Sequence, residues 1–338
     1  MRRLLASLAA LLAVLALSGC ETLAYYAQAV GGQLGLLSRA QPVERLLSDP
    51  ATPAALRDRL ALARQIRDYA ARELALPDNE SYRSYAELDR PYAVWNVVAA
   101  PEFSLEPLKS CFPVAGCVNY RGFFSKEAAG RYAEGLKAEG NDVLVYGVAA
   151  YSTLGRFDDP LLSSFIRYPD AELARLLFHE LAHQVAYVKD DSTFNESFAV
   201  TVEREGVKRW LASTGRGGEL AAFRETQRRN EAVMAILEDA RRRLEALYTA
   251  PLAPEVARER KRREMQALSE KLKGTRLSGY APNNALLASF ATYTQLVPAF
   301  EKLLAEEGGN LPRFYARVKA LAKENARPDS APARAAAS

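Results

Sequence analysis

The sequence predicts an α+β protein, mainly helical, with a small β-sheet beside the helix that carries its chemistry and a long charged helical hairpin. Three observations predict it. Strand-like runs are confined to the stretch between 92 and 148. Apolar residues recur at helical spacing over 52–76 and through most of 170–324. One of those helical stretches holds the chain's two histidines, His179 and His183, four residues apart.

Residues 1–19 read as an export signal. Arg2 and Arg3 form a positive start, and Leu4 to Leu17 is an apolar run too short to span a bilayer comfortably. It ends in Leu17-Ser18-Gly19-Cys20, which resembles the bacterial lipobox, where the cysteine is acylated and becomes the new N-terminus. Acyl chains on Cys20 would hold the protein at a membrane while the rest stays in water. The expected location is the bacterial cell envelope, and Glu21 after the cysteine favours the outer membrane, facing the periplasm. The formal charge of +4 on 338 residues is small, so composition points to no nucleic-acid partner.

Residues 21–50 are expected to form a helix and a turn near the lipid, and 52–76 a firmer amphipathic helix opened by Thr52-Pro53 and closed by Pro77-Asp78-Asn79. Three strands follow: 92–98, 117–124 and 143–148, with a helix over 126–139 packed on them. Cys111 and Cys117 flank a turn-forming Pro113 and Gly116. In an exported chain they read as a disulfide, the alternative being a metal or redox pair. Asp170 is expected to cap a helix from Ala171 to about Val188, and Thr193 to about Ser213 forms the next. Residues 215–275 read as a charged helical hairpin with a thin apolar seam, 276–324 as a C-terminal region with two helices parted by Gly308-Gly309, and 325–338 as a disordered tail. The catalytic region would then span 20–214.

The chemistry lies in His179-Glu180-Leu181-Ala182-His183. Residues four apart share a helix face, so both imidazoles can reach one metal ion, with Glu180 beside them to take a proton from a metal-activated water. A catalytic zinc uses three protein ligands and keeps one position open. The third candidate is Glu196 in Phe194-Asn195-Glu196-Ser197-Phe198-Ala199. A plainer reading is also open, since Thr193-Phe194-Asn195-Glu196 has the form of a capping box. Glu203, two turns on, is a fallback ligand or a partner to the ligands. Tyr120 and Arg121 could border a substrate cleft or simply pack in the sheet.

A His-Glu-x-x-His helix followed by Asn-Glu-x-Phe-Ala resembles the gluzincin metallopeptidases, in particular the aminopeptidases among them. The wider chain resembles a family of exported bacterial lipoproteins described as predicted aminopeptidases. The landmarks are Trp95-Asn96-Val97, Cys111-Phe112-Pro113, Tyr120-Arg121-Gly122-Phe123-Phe124, Ala150-Tyr151-Ser152-Thr153-Leu154-Gly155, Phe157-Asp158-Asp159-Pro160 and Asn283-Asn284-Ala285. The resemblance implies a zincin-like fold, a Zn2+ cofactor, Glu180 as general base and a peptide or protein substrate. It also implies a donor for the oxyanion, for which Tyr151, Tyr280 and Tyr293 are candidates and Tyr280 is preferred. Two features depart from those aminopeptidases. The twelve residues between His183 and Glu196 are a shorter spacer than theirs, and Gly147-Val148-Ala149-Ala150-Tyr151 lacks the acid that binds the substrate's free amine. Asp158 and Asp159 could replace it, or form a turn. The alternatives are an endopeptidase and a non-catalytic envelope lipoprotein with a structural zinc.

Overall fold

A computed structural model describes residues 25–112 and 116–325. The leader, Cys20 and the tail from 326 lie outside the described residues. The fold is α+β and mainly helical. Helix α1 (25–37) leads into a short strand β1 (Gln41–Pro42), a one-and-a-half-turn helix α2 (Val43–Ser48) and helix α3 (Ala54–Leu74). On α3 the apolar positions Leu60, Ala63, Ile66, Ala70 and Leu74 recur every three or four residues and are all buried. Arg67 on the same face is also buried. Its guanidinium donates to the carbonyls of Ser81, Pro77 and Asn79, so the turn after the helix is shaped from inside.

Strand β2 (Ser84–Ala86) pairs with β1 and, further along the chain, with β8 (Leu161–Leu162). The main sheet is built from β3 (Val94–Ala100), β6 (Arg121–Phe123) and β7 (Asp142–Val148), antiparallel in the order β6-β3-β7. Every residue of the central strand β3 is buried, because both faces of the sheet are covered. Helix α4 (Lys126–Ala138), capped by Ser125, lays Ala129 and Ala133 on Trp95, Val97 and Phe123. Helix α9 (Asn284–Thr294) lays Ala285 and Leu286 on Val98 and Leu144 on the other face. The expected strand over 117–124 is two separate pieces. Its first residues belong to a hairpin of β4 (Ser110–Phe112) and β5 (Gly116–Val118), and only Arg121–Phe123 joins the sheet.

Helices α5 (Asp170–Ala182) and α6 (Ser192–Ser213) form the centre of the molecule and pack against α3. Gly206 makes that approach possible. A Cβ there would lie 2.7 Å from Cδ2 of Phe178 and 2.9 Å from Cδ1 of Leu74. Helices α7 (Gly217–Thr249) and α8 (Pro254–Leu272) pack side by side through Leu237, Leu244, Leu268 and Leu272, with Arg243 paired to Glu264 on the outside. The C-terminal region holds α9, α10 (Val297–Glu306) and α11 (Leu311–Asn325), three helices where two were expected. The additional break falls just before Pro298, which has no N–H to continue α9 and instead opens α10 within its first turn. No described helix is long and apolar enough to cross a membrane.

Candidate metal centre

Both histidines come from the C-terminal end of α5, but the helix does not run to Val188. It stops at Ala182, and His183 follows as its C-cap with helical backbone angles of φ −59° and ψ −22°. Its side chain therefore keeps the face of His179. Two tertiary contacts end the helix. Gln184 is held between Asn79 and Ser81. The side chain of Asn195 both accepts from the Val188 N–H, at 2.7 Å, and donates to its carbonyl, at 2.8 Å. The asparagine of the second motif thus fixes the loop that joins the two helices. Asp170 does not cap α5. It is the first helical residue, with its carboxylate between Arg59 and Arg216. The N-cap of α6 is Asp191, which accepts from the Phe194 N–H. The capping box built on Thr193 is therefore not formed, and the Glu196 carboxylate is directed to the histidines instead.

Three donor atoms converge. His179 Nε2 lies 3.2 Å from His183 Nε2 and 3.2 Å from Glu196 Oε2, and His183 Nε2 lies 3.7 Å from the same oxygen. The ligand atoms of the three residues all fall within 4.8 Å of one another. Two imidazole nitrogens and one carboxylate oxygen are a donor set that suits zinc. Glu203, 5 % exposed, stands behind the site. Its Oε2 is 2.9 Å from His179 Nδ1 and 3.0 Å from Arg175 Nη1, and Arg175 also pairs with Glu172. A carboxylate on Nδ1 fixes the tautomer that leaves Nε2 free toward the cluster.

The charges in this buried place shift strongly. Burial disfavours the imidazolium of His179, but its hydrogen bonds to Glu196 and Glu203 outweigh that and push it up to about 10. Burial brings His183 down to about 4, so it is neutral and ready to ligate. Burial would raise Glu196, but its interactions with His183 and with His179, which also hydrogen-bonds it, hold it below its ordinary range. Glu203 is likewise held down, against burial, by Arg175 and His179. Glu180 is buried beside them and is pushed up to about 7, chiefly by that burial. The positive charge of His179 opposes the rise, while Glu196, Asp159 and Glu203 add to it.

Four tyrosines feel the charge of Glu196: Tyr120, Tyr146, Tyr187 and Tyr293. Tyr146 is buried near Asn96 of β3 and Ser289 and Tyr293 of α9, and burial raises its pKa. Tyr280 is placed differently. It is 40 % exposed in the turn before α9, with Arg276 as its charged neighbour. Tyr151 donates to Gln33 of α1 and packs edge-on to Phe124. Arg121 stacks on Tyr25 and Tyr132. Asn283 caps α9 and holds the Val143 carbonyl. Of the two aspartates, Asp158 is exposed. Asp159 is 4 % exposed, accepts from the Thr153 N–H and is pushed up to about 6 by burial.

Cys111 and Cys117 are joined by a disulfide across the β4–β5 hairpin. That hairpin rests on the loop between the two ligand helices. The Cys117 N–H donates to Asp190 Oδ1, and Gly116, at φ +75°, approaches Lys189 and Asp190 so closely that a Cβ would lie 2.4 Å from Lys189 Cγ.

Tyr280 and Tyr293 thus differ in setting, the first exposed in the turn before α9 and the second within α9 and sensitive to the charge of Glu196, a difference that local sequence pattern does not reveal. The family model described as "Putative aminopeptidase" matches residues 24–331. No curated protein and no solved structure matches the chain.

Proposed function

The chain belongs to this aminopeptidase family, and from that premise we propose that it is a zinc-dependent peptidase of zincin type, with His179, His183 and Glu196 as metal ligands and Glu180 as general base. The observation that carries the reading is the convergence of two Nε2 atoms and one carboxylate oxygen, with Glu203 on the rear nitrogen of His179. A purely structural site would have no use for Glu180, a buried carboxyl beside the donors whose pKa lies near neutrality.

Zinc, when bound, supplies polarisation of the scissile carbonyl and acidifies the attacking water. The chain's own residues do the rest. Glu180 accepts the water's proton and returns it to the leaving amine, a role suited to a group that titrates near 7. We assign to Tyr293 or Tyr120, both buried and sensitive to the charge of Glu196, rather than to the exposed Tyr280, the donor to the negative charge that grows on the carbonyl oxygen. Asp159 is the acid available to pair with a substrate's free ammonium. Its charge contributes to the raised pKa of Glu180, and an ammonium would draw its own pKa back down. This makes the substrate a peptide with a free N-terminus. We further place the protein at the bacterial envelope, held by acylated Cys20 and facing the periplasm, a compartment that favours the Cys111–Cys117 disulfide.

The test is a digest of one short peptide, with free and with acetylated N-terminus, by zinc-loaded wild type and Glu180→Gln. The expected result is cleavage of the free peptide alone, and a loss of about 10²–10⁴ in kcat for the variant with its zinc retained. Activity of Glu180→Gln within a few fold of wild type refutes the general base. Equal cleavage of both peptides at an internal bond shows an endopeptidase and returns Asp159 to a structural role.

A further inference from the structure

Helix α1 is amphipathic the wrong way round for a helix that only packs on its own protein. Its inward face carries the two glutamines. Gln28 Oε1 accepts from the Phe124 N–H at 3.0 Å, and Gln33 Oε1 accepts from the Tyr151 hydroxyl. Gly32 lies against the Phe124 ring, and Leu36 is buried in the core. The outward face is Ala27, Val30, Gly31, Leu34 and Gly35, spaced three or four residues apart along one stripe. Val30 is 56 % exposed and Leu34 58 %. No charged residue occurs between Glu21 and Arg39, so nothing on this helix requires water around it. A water-facing helix normally reverses this order.

We propose that the outward face of α1 lies in the interfacial region of the lipid bilayer, with the helix axis along the membrane plane. The inference rests on the reading of Cys20 as an acylated anchor. Five residue steps separate Cys20 from Tyr25, the first described residue of the helix. At full extension they span about 17 Å, so an anchored cysteine keeps the start of α1 within that distance of the acyl region. An interfacial helix buries its apolar face about 5–10 Å into the headgroup and acyl boundary. Val30 and Leu34 supply that face, while Tyr25 at the start of the helix packs inward on Phe112 and Phe123 and so ties that end to the body. The inward contacts of Gln28 and Gln33 then fix the body against the bilayer through Phe124, which follows β6, and Tyr151, which replaces a freely swivelling tether by a defined orientation.

The experiment uses the full chain, purified in detergent from a bacterial host and reconstituted into vesicles of phosphatidylethanolamine and phosphatidylglycerol. Val30→Cys, Leu34→Cys and, as a control on α8, Val256→Cys are labelled with an environment-sensitive fluorophore. Val256 is exposed to a similar degree, at 43 %. The expected result is blue-shifted emission at 30 and 34, quenched at least two-fold by a spin-labelled lipid, with neither effect at 256. Mass spectrometry of the same sample reads acylation of Cys20. Water-like emission at 30 and 34 in acylated protein overturns the membrane-facing helix and leaves the anchor standing. Water-like emission in protein without the acyl group overturns both. Lipid quenching at 30 and 34 in the absence of acylation supports the helix face and refutes the anchor. A blue shift that resists the lipid quencher and accompanies a doubled mass shows a second copy on this face and overturns the proposal. Peptide hydrolysis by zinc-loaded protein is a separate readout, so loss of the peptidase reading would not be confused with any of these results.

Discussion

Glu203→Gln tests how the cluster is held, and its effect should depend on pH in a way that identifies the mechanism. The carboxylate serves His179 at 2.9 Å and Arg175 at 3.0 Å through one oxygen. Glutamine keeps the shape and the acceptor but removes the charge. Loss of such a partner behind a ligating imidazole costs zinc affinity about 10–100-fold, or about 1.4–2.7 kcal/mol. A second effect opposes the first. In the metal-free wild type His179 titrates at about 10, so at neutral pH it holds a proton that zinc must displace. At pH 7.5 that competition weakens binding by a factor on the order of 10². Glu203 is one source of the raised value, so its removal lowers the pKa of His179 and relieves part of the competition. The loss of affinity should therefore be largest near pH 9 and shrink toward pH 6.5. The assay is competition for zinc against a fluorescent chelator at several pH values, with near-ultraviolet circular dichroism to show that the fold persists. An affinity at pH 9 equal to wild type, or a loss that grows as pH falls, would refute the arrangement.

Other outcomes follow from the same geometry. Asn195→Ala leaves the Val188 N–H and carbonyl without their side-chain partner and should lower stability in urea by about 2–4 kcal/mol; a change under about 1 kcal/mol would show that water replaces the clamp. Metal-free protein should lose stability as pH rises from 6.5 through about 10, because the folded state holds a proton on His179 that the unfolded chain releases near 6.5. A flat profile of unfolding free energy over that window would contradict this. For the same reason zinc uptake at pH 7.5 should release about one proton per chain, read by calorimetry in buffers of different ionisation enthalpy. Tyr293→Phe should lower kcat by about 10²–10³, whereas Tyr280→Phe should change it by less than a few fold; the reverse order would restore Tyr280 as the oxyanion donor.

Much of the frame is legible in the sequence because it depends on local periodicity. The α5 face, the α4 helix opened by Ser125 and the runs that become β3 and β7 all announce themselves through spacing. The features that local reading misses are set at a distance. Helix α5 ends six residues early because Asn195, in the next helix, holds Val188. The apolar run from Leu181 to Val188 contains no breaker that would reveal it. The strand expected over 117–124 divides because the disulfide hairpin takes its first residues for a separate pairing. Glu203 is visible as an acid on the right face, but its place behind His179 depends on how closely α6 approaches α5, which is a matter of Gly206 and the side chains around it. The glutamines of α1 look like ordinary solvent contacts until the sheet edge and Tyr151 are seen against them.

The central strand has a consequence for the chain before it folds. Val94-Trp95-Asn96-Val97-Val98-Ala99-Ala100 carries no charge and no proline, and every one of its residues is buried in the finished sheet. Short uncharged segments of high strand propensity are the kind that stack with copies of themselves when exposed. In the unfolded chain the strand lacks β6, β7 and both covering helices, so a neighbouring chain can act as a substitute partner. Arg90-Pro91 on one side and Pro101-Glu102 on the other interrupt such stacking with a charge and a missing N–H at each end. The segment that anchors the sheet is thus also one that is exposed to self-association until the sheet closes, and these two flanking pairs limit how far an aggregate begun there can grow.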